Sequence, residues 1–293
     1  GLNNLTEIKG NFHIQGLGYN SFNSLSSFEG LENLTQIDSS LIIKSTFNSF
    51  QGLTSFSGLN KLSTIGKDLH IHSDKSLNSL SSFEGLNNLS AIYGDLIIEA
   101  KSNASPASSY IYNALNSLSS FSGLNNLTHI YGDFRIHAEY TAEHSKYREI
   151  VLNSLVDFNG LESLNSIGGN FEIKSHAALN SLQSFKGLTN LKSINGCFLL
   201  RAEALTFQTS LKSLQSFEGL ENLSTIGKDF HICGDVNFYL HEMKGDQSSK
   251  KSYVLESLTS FTGLAGLSTI GGNLIIESAS NWSDNYAYTY AMS

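Results

Sequence analysis

In residues 77–98, LNSLSSFEGLNNLSAIYGDLII, the apolar positions are Leu77, Leu80, Phe83, Leu86, Leu89, Ile92, Leu96 and Ile98. The interval is three as far as Ile92 and two at the end, with Gly85 and Gly94 as breaks. Such a pattern fits neither a long amphipathic helix nor a plain hairpin strand. It predicts one coil of a solenoid, because the rest of the chain consists of edited copies of it.

Aligned on Ser-Phe-x-Gly-Leu, eight copies place phenylalanines at Phe28, Phe56, Phe83, Phe121, Phe158, Phe185, Phe217 and Phe261, and a half-copy precedes them. The second leucine recurs at Leu5, Leu34, Leu62, Leu89, Leu127, Leu164, Leu191, Leu223 and Leu267. Three residues later an isoleucine follows each time: Ile8, Ile37, Ile65, Ile92, Ile130, Ile167, Ile194, Ile226 and Ile270. If equivalent positions stack, each becomes a column of the core and the phenylalanines form an aromatic spine. One coil has no opposite wall, so neighbouring coils must supply the stability.

After the isoleucine, Tyr93-Gly94-Asp95-Leu96-Ile97-Ile98-Glu99 predicts a turn and then a strand, with Leu96 and Ile98 on one face and Asp95, Ile97 and Glu99 on the other. Leu-x-x-Leu-x-x-Phe is expected to form a second short strand or an extended corner, and Glu-Gly-Leu-Asn-Asn-Leu a tight turn or single helical turn. The fold expected is therefore a mainly β solenoid of about nine coils, with parallel sheets and short helical turns. It forms one unit over residues 1–293: a half-coil at 1–20, coils beginning near 21, 47, 77, 115, 152, 179, 211 and 255, and a tail at 278–293. At about 4.8 Å per strand, the stack is roughly 40 Å long.

Spacing between copies varies only after the predicted strand. Inserts at 99–114, 138–151, 202–210 and 233–254 all leave from one repeat position, hence from one edge, which in solenoids is often the binding edge. They carry Tyr110, Tyr112, Tyr140, Tyr147, Tyr239 and Tyr253, and the tail carries Tyr286, Tyr288 and Tyr290. These rings either pack the inserts onto the adjoining sheet or contact a ligand.

Composition narrows the function. Only 15% of residues are Asp, Glu, Lys or Arg, against about 25% in a typical soluble protein, so the surface is built largely of Ser, Asn, Thr and Gly. With a net charge of -8, that is a poor surface for nucleic acid. No run of about 20 apolar residues spans a membrane, and the first residues lack the pattern of a signal peptide. The sequence opens inside a repeat, as expected of a mature product or an excised piece.

The pattern Ser-Phe-x-Gly-Leu-x-x-Leu-x-x-Ile-x-Gly-x-Leu-x-Ile, carried by Phe83, Gly85, Leu86, Leu89, Ile92, Gly94, Leu96, Ile98 and their counterparts, resembles the repeat of the receptor L-domain superfamily. The resemblance implies a leucine-rich-repeat-like, right-handed β-helix. It also implies the company of receptor ectodomains, fungal cell-wall glycoproteins and bacterial surface proteins. Cys197 and Cys233 are the sole cysteines, unlike the disulfide-rich metazoan members, and the Asn of ordinary leucine-rich repeats is missing. A bacterial-type or protist surface repeat fits better than a hormone receptor.

Candidate chemistry is sparse. One outward column is expected to read His13, Ile42, His70, Ile97, Arg135, Glu172, Leu199, His231 and Ile275; no two histidines are neighbours in it, so no metal site is expected. Its apolar members must be covered by the inserts or by another protein. Cys197 and Cys233 are offset by four strand residues, about 13 Å, and are expected to be free thiols. The strand-opening column Asn11, Ser40, Asp68, Asp95, Asp133, Asn170, Asp229 and Asn273 reads as turn chemistry rather than a calcium ladder. Sequons begin at Asn4, Asn33, Asn88, Asn103, Asn126, Asn222 and Asn281, and five share one repeat position, making them candidate glycosylation sites. No phosphate loop, nucleophile elbow or carboxylate pair is present, so neither catalysis nor a cofactor is expected.

The sequence therefore points to an extracellular, non-enzymatic cell-surface domain that adheres to or recognises protein or glycan, through the tyrosine-bearing insert edge. The alternative is a structural subunit of a filament or surface layer. In that case copies stack head to tail through ends exposing Leu2, Leu5, Ile8, Leu264, Leu267 and Ile270.

Overall fold

In each coil the isoleucine and the residue before it form a two-residue strand, from Glu7–Ile8 through Ala91–Ile92 to Thr269–Ile270. A turn follows, and then a longer strand. The longer strands are Phe12–Gly16, Leu41–Thr46, Leu69–Asp74, Leu96–Ser102, Phe134–Tyr140, Phe171–His176, Phe198–Leu205, Phe230–Phe238 and Leu274–Trp282. The computed structural model describes residues 1–102, 113–140, 151–205, 208–238 and 253–282. Within them, the two-residue strands make one parallel nine-stranded sheet and the longer strands a second, each ordered as in the sequence. A small parallel pair joins Thr209–Ser210 to Tyr253–Val254.

This is the expected β solenoid, with two differences. The sheet that accompanies the longer strands is built from the dipeptide ending in isoleucine, not from Leu-x-x-Leu-x-x-Phe. The latter is a corner that opens on a turn, Leu80 N–H to Leu77 O (3.3 Å) with Leu77 at φ +51°, and is tied to the next coil by single bonds such as Phe83 N–H to Ser122 O (2.8 Å). The expected helical turns are absent: among the described residues there is no helix. Leu86 N–H bonds Phe83 O and Leu89 N–H bonds Leu86 O, two successive three-residue turns. Within the first, Gly85 has φ +106°, which takes the chain out of the helical region. A Cβ there would lie 2.1 Å from Phe56 O, so the coils stack closely only because the position is glycine.

The core is the set of columns the repeat predicts. Phe56, Phe83, Phe121, Phe158, Phe185 and Phe217 are fully buried. Successive rings from Phe56 to Phe217 are stacked 5.5 Å apart with planes within 6°. In the middle coils a second column, Phe134, Phe171, Phe198 and Phe230, meets this spine at steep angles. Each such burial contributes about 1.5–3 kcal/mol. In the terminal coils the columns run out into solvent: Leu2 is 61% exposed and Phe261 51%, whereas Leu5, Ile8, Leu264, Leu267 and Ile270 are partly buried.

Side-chain ladders join coil to coil. Asp95 N–H donates to Asp68 Oδ1 (2.9 Å), Asp133 N–H to Asp95 Oδ1 (2.7 Å) and Asn170 N–H to Asp133 Oδ1 (2.6 Å). The strand-opening Asp/Asn column thus accepts a bond from the next coil, a more specific duty than turn formation. The longer strands also outlast the expected insert boundaries, ending at Ser102, Tyr140, Leu205 and Phe238, and the tail expected from 278 begins within the strand Leu274–Trp282.

Candidate recognition face

Alternation in the longer strands buries one set of side chains and leaves the other half-exposed, as in Leu96–Ser102. The first outward column pairs as expected from the sequence, His13 with Ile42, Ile42 with His70, and so on to His231 with Ile275. Ile42, Ile97 and Leu199 are half-buried in it, and Ile275 is also partly covered. The second outward column reads Gln15, Lys44, His72, Glu99, His137, Lys174, Arg201, Cys233 and Glu277. A third, shorter one carries Asp74, Lys101, Glu139, His176, Glu203 and Asp235.

These columns are knit into ion pairs. Arg135 reaches Asp95 Oδ2 (2.7 Å) and Asp133. His137 Nε2 lies 3.4 Å from Glu172 Oε2, and Lys174 pairs with the same carboxylate. The approach of His137, aided by Lys174 and opposed by burial, brings the Glu172 carboxyl down to about 2. Arg201 meets Glu203 (2.5 Å) and Asp235 (3.3 Å).

Beside this network lies a depression lined by Lys101, His137, Glu139, Lys174, His176, Arg201 and Glu203. Burial pushes the His176 imidazole towards its neutral form, against the pull of Glu203 and Glu139, and its Nε2 has no hydrogen-bond partner among the described residues. Donors and acceptors, among them three cations and two carboxylates, therefore converge on one patch, which suits a polar, multiply hydrogen-bonding ligand.

Of the tyrosines singled out, Tyr110, Tyr112, Tyr147 and Tyr239 lie outside the described residues, as do Tyr286, Tyr288 and Tyr290. Tyr140 is 4% exposed and packs in the core. Tyr253 is half-buried and pairs with Thr209. Cys197 and Cys233 are free, and Cys233 pairs in register with Arg201. Burial and the neighbouring Asp235 push the Cys233 thiol up to about 12.

The shared sequon position has a structural duty. Nδ2 of Asn33, Asn88, Asn126 and Asn222 donates to a carbonyl of the preceding coil at 2.6, 2.6, 2.6 and 2.7 Å. Asn190, which is not in a sequon, does the same at 2.7 Å. The sequon hydroxyls of Thr35, Ser90, Thr128 and Ser224 form a parallel ladder, each bonding a carbonyl one coil back. Asn4 is exposed, Asn103 lies outside the described residues, and Asn281 falls in the last strand.

What column reading missed is contact along and across strands together. His70 and His72 share a strand, and both face Glu99 of the next coil: His70 Nε2 at 3.3 Å and His72 Nδ1 at 2.7 Å from Glu99 Oε2. Hydrogen bonds from His70 and His72 hold the Glu99 carboxyl well below the usual carboxylate range. The signal was present as His-x-His on one strand with Glu in register with the second histidine. Among the described residues, no helix is long and apolar enough to cross a membrane. Comparison with models of known families, with curated proteins and with solved structures finds no match.

Proposed function

We propose that the chain is an extracellular, non-enzymatic recognition domain of the receptor-L-domain-like type, displayed at a cell surface and binding protein or glycan. The observation that carries this reading is the division of labour in the longer strands. Inward positions repeat from coil to coil, whereas the outward columns change at almost every step, from Arg135 to Glu172 to Leu199. A scaffold that copies its core and varies one face is suited to display. The depression around His137, His176 and Arg201 lies on that face, near the edge from which the inserts leave. The sparse charge of the remaining surface is a further support.

The test is binding of the full chain to a glycan array and to intact cells. Charge reversal at the depression, Lys101→Glu with Lys174→Glu and Arg201→Glu, is expected to abolish binding. Reversal of Lys61 and Lys192, which precede two-residue strands and do not line the depression, is expected to leave it intact. Binding that survives the triple reversal overturns this assignment of the face.

A further inference from the structure

We propose that His70, His72 and Glu99 form a binding site for a divalent transition-metal ion, with Zn2+ the best match. Their ligand atoms all lie within 4.8 Å of one another. A tetrahedral zinc with bonds of about 2.0–2.1 Å holds adjacent ligands about 3.3 Å apart, and His70 Nε2 already stands 3.3 Å from Glu99 Oε2. His72 Nδ1, at 2.7 Å from the same oxygen, needs to withdraw by about 0.6 Å to match that spacing. The rings are held 89° apart, so two nitrogens approach one carboxylate from different directions. With side-chain exposures of 28%, 19% and 24%, the three groups are open enough for an ion to enter and to keep water on its remaining position. Two imidazoles and a carboxylate favour zinc, copper or nickel over calcium or magnesium, which prefer all-oxygen sets.

An independent observation supports the assignment. The same arrangement recurs further along the stack, in His231, Cys233 and Glu277, whose ligand atoms also lie within 4.8 Å. The correspondence is positional. His70 and His231 each pair across the sheet with an isoleucine, Ile97 and Ile275, while His72 and Cys233 pair with Glu99 and Glu277. In the recurrent set His231 Nε2 lies 2.8 Å from Glu277 Oε1, and the middle ligand is a cysteine, itself a zinc ligand. A merely charge-pairing role for the first set would not call for a thiol at the equivalent position in the second.

The full chain, stripped with a chelator, is titrated with ZnCl2 by calorimetry in a Cys233→Ser background that disables the recurrent set. Far-UV circular dichroism checks the fold of each variant. Saturable uptake is expected, and His72→Asn and Glu99→Gln should each weaken it by more than the roughly 10- to 100-fold that loss of an outer-shell partner costs. His129→Asn, a histidine outside the set, should leave it unchanged. Glu99→Gln keeps the shape of the side chain, so the test stands even if His72→Asn does not fold. No saturable uptake at millimolar Zn2+, or a weakening no greater than about 100-fold in the folded variants, overturns the proposal.

Discussion

Replacing Gly123 with alanine tests how closely the coils are stacked. Gly123 sits at φ +103°, and a Cβ there would lie 2.0 Å from Phe83 O and 2.2 Å from Phe83 C. Both atoms are backbone, so no side chain can swing aside. The unfavourable φ costs about 1–2 kcal/mol. Relief of the overlap requires the two coils to part by about 1 Å, which strains the Phe83 N–H to Ser122 O bond (2.8 Å), at about 1 kcal/mol net. It also loosens the Phe83–Phe121 stack, 5.5 Å and 4°, which contributes about 0.5–1.5 kcal/mol beyond burial. The sum is about 2.5–4.5 kcal/mol, concentrated at one coil junction. Because coils contact mainly their neighbours, the array is expected to unfold in two steps rather than one. Urea denaturation followed by circular dichroism measures the midpoint and shape. Gly10 is the control: a Cβ added there would meet no atom within 4 Å, and its φ is not positive, so Gly10→Ala should lie within about 0.5 kcal/mol of wild type. A loss below about 1 kcal/mol for Gly123→Ala, or equal effects at the two glycines, refutes the close-stacking argument.

Truncating the spine at Phe121→Ala, buried between Phe83 and Phe158, should cost about 3–5 kcal/mol in thermal or urea unfolding. The same change at Phe261, 51% exposed, should cost far less, and equal losses would contradict the stacked-core account. Glu172→Gln should destabilise by about 2 kcal/mol at pH 6, the value of the shift after a discount for solvent screening. Because the folded-state value of Glu172 is lowered to about 2, its contribution is complete above about pH 4.5 and fades as pH falls towards 2. Urea midpoints of wild type and variant should therefore converge in that window, and a constant gap would show that another group is responsible. Cys233, with its thiol pushed up to about 12, should be alkylated by iodoacetamide at pH 8 about 100- to 1,000-fold more slowly in the native chain than in urea. Site-resolved mass spectrometry measures this, and equal rates would mean the thiol is not buried.

The periodic apolar residues determined a great deal by themselves. Repetition of Phe83, Leu86, Leu89 and Ile92 demanded stacking, because no single coil can bury them. Alternation from Asp95 to Glu99 set which side chains face inward. Since the side-chain period of a strand is two, those choices also settled the register from His13 to Ile275. What the pattern could not supply was the conformation of residues whose duty is owed to the next coil. Asp95 and Asn88 read as turn residues when taken alone, yet each spends its polar group on a neighbouring coil's backbone. Gly85 reads as a turn glycine, and only the stacked coils show that its φ of +106° excludes a helical turn and that Phe56 O leaves no room for a Cβ. The cluster of His70, His72 and Glu99 depends on two directions at once, along one strand and across to the next. A linear sequence displays the first directly and the second only when coils some 27 residues apart are brought about 4.8 Å from each other.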